Sequence, residues 1–143
     1  MVLPDRWRGL PVGEYAFPGP LRDRLVAAIA AGTKTSTTSL VVDHEVDGAP
    51  LPAVGDREVV VDSHGQPVLV TQVDAVAVLR LGEVGLAHAL DEGEGHTSVA
   101  GWRRGHERFW GSEEYRADIG DPSFRVDDDT LVVCVAFTVV DRC

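Results

Sequence analysis

Lys34 is the only lysine among the chain's 13 basic residues, and it stands between Gly32-Thr33 and the hydroxyl-rich run Thr35-Ser-Thr-Thr-Ser39. Every other basic position is an arginine, so the exception marks a place where guanidinium would not serve. An ammonium can give up its proton when desolvated, whereas a guanidinium effectively cannot. The competing reading is a solvated lysine in a polar turn. A second chemistry-bearing stretch, Asp91-Glu-Gly-Glu-Gly-His96, sets Glu92 and Glu94 among glycines that allow a tight backbone path. Arg103, Arg104 and Arg108 form the one basic cluster. They pair with Glu107, Glu113 and Glu114, or they contact phosphate. His44, His64 and His88 lack metal-ligand spacing, and Cys134 and Cys143 are too few for a zinc site or a disulfide framework. No metal or other cofactor is expected.

The elements that must position these residues follow from local signals. Pro20 at a helix start, an apolar stripe of Leu21, Leu25, Ala28 and Ile29, and Gly32 as a left-handed cap predict a helix over 20–31 that ends at Lys34. The hydroxyl run after it grades into Leu40-Val41-Val42, which has strand character. Prolines make 51–56 an irregular connector, and Arg57–Asp62 reads as a short strand. Val68–Leu81 reads as one long bent strand with its odd positions on the apolar face. Gly82–Leu90 predicts a short helix with Val84, Ala87 and Leu90 inward. Thr97 or Ser98 caps a helix whose stripe is Val99, Trp102, His106 and Phe109. Residues 111–129 read as a solvated acidic loop, and Thr130–Val140 as a strand covered on both faces. On the same stripe Trp102 is either core or a platform for a stacked base, and His106 either a satisfied core histidine or a general acid.

A chain of 143 residues is expected to form one domain, here 17–143, after an extended lead-in over 1–16. No apolar run approaches a membrane span and no signal peptide is seen, so the expected compartment is the cytoplasm and no membrane partner is expected. A net charge of −10 disfavours generic binding to DNA or RNA backbone.

Three ordered motifs carry a resemblance: Gly32-Thr-Lys34-Thr-Ser-Thr37, Leu51-Pro-x-Val-Gly-Asp56, and Glu92-Gly-Glu-Gly-His-Thr-Ser98 running on to Trp102-Arg103 and His106. The chain resembles the small bacterial ASCH-domain proteins of the PUA-like group, over roughly residues 17 to 140. Where that family usually has Asp, this chain has His96. The resemblance implies an α+β fold, a PUA-like mixed β-barrel with flanking helices, and a cleft between the lysine loop and the acidic loop. It implies recognition of a small nucleoside or modified RNA. Some members hydrolyse the amide of N4-acetylcytidine, and on that pattern Lys34, Thr37 and Glu94 are the catalytic candidates. Thr35, Glu92, Trp102, Arg103 and His106 are the substrate-binding candidates. A non-catalytic RNA-binding module is the alternative, and ribonuclease action ranks below it. Lys34 would act either as the base for Thr37 or as a charged group facing an oxyanion, and a plain Lys34–Glu94 salt bridge is the structural alternative.

Overall fold

A computed structural model describes residues 2–143. Helix α1 (Pro20–Ala31) forms as expected: Pro20 opens it, and Gly32 closes it with φ 82°. It buries Arg22, Val26 and Ile29 rather than Leu21, which is exposed. Strand β1 (Val12–Gly13) runs parallel to β3 (Arg57–Val61), which pairs with the long β4 (Pro67–Arg80). Strand β5 (Leu131–Arg142) lies between β4 and β2 (Ser36–Leu40). The order β1-β3-β4-β5-β2 leaves β1 and β2 as unpaired edges, so the sheet is open and the expected closed barrel is not formed.

Both faces of β5 are covered, which explains its continuous apolar run. Val132 and Cys134 pack with Leu40, Trp102, Trp110 and Tyr115 beneath the C-terminal helices. Val133, Val135 and Phe137 pack with Val26 and Ile29 of α1. In the lead-in, Trp7 is buried against Val59, Val61 and Val70, and its indole N–H donates to Asp141 at 2.7 Å.

Four local expectations are corrected. Val41 and Val42 begin a helix, α2 (Val41–Asp47), because Asp43 accepts the Leu40 N–H at 2.9 Å and turns the chain out of the strand. The odd-position face of β4 fails because the register shift at Val73/Ala75, which leaves Asp74 without a partner on β5, breaks the alternation, and Ala75 and Ala77 are exposed. Helix α3 (Leu86–Asp91) starts later than expected, so Val84 and Ala89 are buried while Ala87 and Leu90 are exposed. The acidic segment contains α5 (Glu113–Ile119), capped by Ser112 and closed by Gly120 at φ 72°, with Tyr115 buried. Helix α4 (Val99–Trp110), capped by Ser98, stands where expected. No helix among the described residues is long and apolar enough to cross a membrane.

Candidate functional site

The end of α1 delivers Lys34 against the acidic loop. Thr35 N–H donates to the Asp91 carbonyl at 2.8 Å, and Gly93 lies so close to the lysine loop that an added Cβ would stand 2.1 Å from the Thr33 carbonyl oxygen. Lys34 is 2% exposed. Its Nζ donates to the carbonyls of Ser36 (2.9 Å) and Glu92 (3.4 Å) and to Glu94 Oε2 (3.4 Å). An ammonium has three protons, and here each finds an acceptor. Register explains the first of these contacts. Phe137 N–H donates to the Thr35 carbonyl, so Thr35 and Thr37 bond toward β5 and the Ser36 carbonyl points out from the open edge. Lys34 therefore satisfies an edge carbonyl of β2 as well as two acidic-loop acceptors.

Glu92 is the buried anion of the site, 1% exposed. Its Oε2 accepts from Thr38 Oγ1 (2.7 Å) and Trp102 Nε1 (2.7 Å), with His88 Nε2 at 3.1 Å. Its Oε1 faces His106 Nε2 at 3.1 Å and Lys34 Nζ at 3.6 Å. Burial alone would raise its proton affinity, but the bonds from His106 and His88 and the charge of Lys34 drive it well below the carboxylate range. Glu94 goes the other way. Burial, then the neighbouring Glu92, raises its proton affinity against the pull of Lys34. His106 donates from Nδ1 to the Trp102 carbonyl at 2.9 Å, so both ring nitrogens meet acceptors. Burial lowers its proton affinity, yet Glu92 leaves it raised overall.

This centre opens into a cleft of about 1850 Å³, lined also by Thr37, Thr38, His96 and His106. Lys34, Glu94, Glu92 and His106 thus meet at one centre, and Thr37 lines the same cleft. Thr37 makes no side-chain hydrogen bond among the described residues, so its hydroxyl is free for a ligand. The remaining candidates do not line the cleft. Trp102 is wholly buried and stacks on His106 at 4.3 Å, so it supports the site and offers no base platform. Thr35 is exposed outside the cleft, with Oγ1 3.4 Å from the Asp91 carbonyl. Arg103 does not line the cleft and is bound to Glu107 (2.6 Å) and to Asp128. Thr38 and His88 were missed in the sequence. Their only signals were the strand alternation from Ser36 to Thr38 and the four-residue helical spacing from His88 to Glu92.

Glu92, Glu94 and His106 could offer three ligand atoms within 4.8 Å to a metal ion. The fit is poor, because the Glu92 oxygens are already taken by donors and Lys34 supplies the positive charge between the two carboxylates. An ion would have to displace it.

The site is a lysine–carboxylate centre at the open edge of an α+β sheet, facing a deep cleft. A family model for the ASCH domain matches residues 14–141, and the chain belongs to that family. A crystal structure of a protein from Enterococcus faecalis superposes with TM-score 0.79 at 24% identity, covering 99% of this chain and 79% of that one. The ASCH domain from Lactobacillus crispatus gives TM-score 0.79 at 23% identity, covering 96% and 84%. No curated protein sequence matches the chain.

Proposed function

We infer that the cleft takes up an N4-acylated cytidine or a closely similar nucleoside and hydrolyses its exocyclic amide. The observation that carries this reading is the buried Lys34 amine held 3.4 Å from Glu94, a carboxylate whose proton affinity is raised, in a cleft also lined by the unpartnered hydroxyl of Thr37. A base with raised proton affinity can take a proton near neutral pH and return it. Glu94 takes the proton as the Thr37 oxygen attacks the acyl carbon, and its neutralisation loosens its bond to Lys34, whose third proton then turns to the oxyanion. The carbon–nitrogen bond then breaks, N4 receives the proton, and water hydrolyses the ester left on Thr37. In this scheme Glu92, His88, His106 and Trp102 are positioning residues that hold the acidic loop.

The family is generally associated with nucleic-acid binding, which supports a nucleobase as the ligand. The charge balance favours a neutral nucleoside over an RNA backbone, because carboxylates outnumber cationic side chains along the cleft by eight to five. The test is acetate release from N4-acetylcytidine. The wild type is expected to release it, with Lys34→Arg and Glu94→Gln slower by about a hundredfold or more. An acetyl increment on the Thr37 peptide in quenched mass spectrometry is expected. Turnover without that increment assigns the attack to water, and no release by folded wild type overturns the reading.

A further inference from the structure

The cleft reaches well beyond Lys34, and its far wall carries a carboxylate that the proposed reaction does not use. Glu58 on β3 forms no ion pair and, apart from the adjacent Tyr15 hydroxyl, meets no donor among the described residues. Two other shielded carboxylates in this protein are well supplied with donors. Glu92 has its ring of donors, and Asp43 accepts from Leu40 N–H and Tyr115 Oη. Leaving a half-buried carboxylate short of donors is costly. The backbone is shaped to admit it: a Cβ on Gly13 would stand 2.3 Å from the Glu58 carboxyl carbon.

Register places Glu58 on the same sheet face as Thr37. Thr37 lies opposite Val135, Phe137 opposite Val73, and Thr71 opposite Glu58, with steps of two residues between successive pairs. All of these residues line the one cleft. The strands β2 and β3 are three spacings apart, roughly 14 Å along the sheet. A free base is too short to touch both ends, whereas a nucleoside carries its acyl group at one end and its sugar at the other. Tyr15 lines the same cleft and packs on the cluster of Val60, Leu69, Val135 and Phe137 that forms this face of the sheet.

We propose that Glu58 and Tyr15 form a sugar subsite that binds the vicinal hydroxyls of ribose, the carboxylate accepting from the diol and the phenol completing the pair. This deepens the nucleoside reading and rests on it. Two adjacent hydroxyl donors match a two-oxygen acceptor, the chemistry by which acidic side chains hold ribose elsewhere.

The experiment is calorimetric titration of cytidine and of 2′,3′-dideoxycytidine, which share a base, lack an acyl group and differ in the diol. Wild type is expected to bind cytidine about tenfold more tightly, the worth of one good charged hydrogen bond. Glu58→Ala is expected to erase that preference and leave dideoxycytidine binding unchanged. Glu58→Gln, nearly isosteric, is expected to weaken the preference and serves if the alanine variant does not fold. A wild type that binds the two equally or binds neither, or a folded variant that keeps the preference, overturns the subsite. Diol-dependent binding without acetate release from N4-acetylcytidine overturns the hydrolytic reading alone.

Discussion

Glu92 and Glu94 are separated by one glycine, yet their neighbours set their protons in opposite directions. Glu92, ringed by Thr38, Trp102, His88, His106 and Lys34, stays ionised and structural. Glu94, with burial and a like charge beside it, holds a proton to higher pH than an ordinary glutamate. The rate of acyl hydrolysis should therefore rise with pH through an apparent pKa above the usual value of about 4.3, and a pH–rate profile checks this. Removing the Glu92 charge takes the anion from His88 and His106 and leaves Lys34 only Glu94. Glu92→Gln is expected to cost about 3–5 kcal/mol in urea unfolding, since an orphaned buried charge is left behind. Stability should also depend on pH through His88. Burial lowers its proton affinity, but the Cys134 thiol and Glu92 outweigh this and raise the pKa to about 9. A folded pKa above the unfolded value of about 6.5 means the folded state binds the extra proton in between. That contribution is full below pH ~6.5 and lost as pH rises toward ~9, and His88→Gln should flatten the slope in unfolding curves recorded across that window. Lys34 and Glu94 were legible as residues because a lone lysine and a Gly-spaced acidic loop are rare patterns. Their environment was not, because Thr38 and His88 meet across 50 residues of chain.

At the scale of elements, the site depends on how closely two loops approach. Gly93 has φ 64°, and a Cβ there would stand 2.1 Å from the Thr33 carbonyl oxygen, while Gly95 at φ 86° has nothing within 4 Å. Gly95→Ala should cost only the left-handed backbone strain, about 1–2 kcal/mol. Gly93→Ala bears the same strain and must also push the lysine loop off the acidic loop. It is expected to lose more stability than Gly95→Ala in denaturant titration and to lose the acetate-release activity that Gly95→Ala keeps. The helices that frame these loops were readable where caps and stripe agreed, as in α1 and α4. They were not where a side-chain bond overruled propensity, as Asp43 does at Val41-Val42, or where a cap stood in an acidic run, as Ser112 does before α5. The register shift at Val73/Ala75 left no residue-type signal, and it reversed the expected face of Ala75 and Ala77.

At the scale of the whole molecule, the lead-in and the charge both bear on function. Trp7 is 1% exposed and covers Val59, Val61 and Val70 on the sheet face opposite Val60 and Glu58, so it steadies β3 from behind. Trp7→Ala should cost about 3–5 kcal/mol in thermal or urea unfolding, the range for deleting a large buried aromatic. The net charge of −10, with the acid excess repeated along the cleft walls, makes the ligand's own charge a discriminator. A polyanion bound through arginines releases counterions, and its affinity falls steeply with salt. A neutral nucleoside held by Lys34, Thr37 and Glu58 releases none. Cytidine affinity is therefore expected to stay nearly constant between low and physiological salt, while single-stranded RNA shows no shift at either. Of the helical basic cluster, Arg103 is held by Glu107 and Asp128, and Arg108 is already counted among the five cationic side chains of the cleft. A salt-dependent RNA complex that weakens on replacing Arg103 and Arg104 would reverse the assignment, making the arginine-bearing face of α4 the functional surface and the cleft secondary.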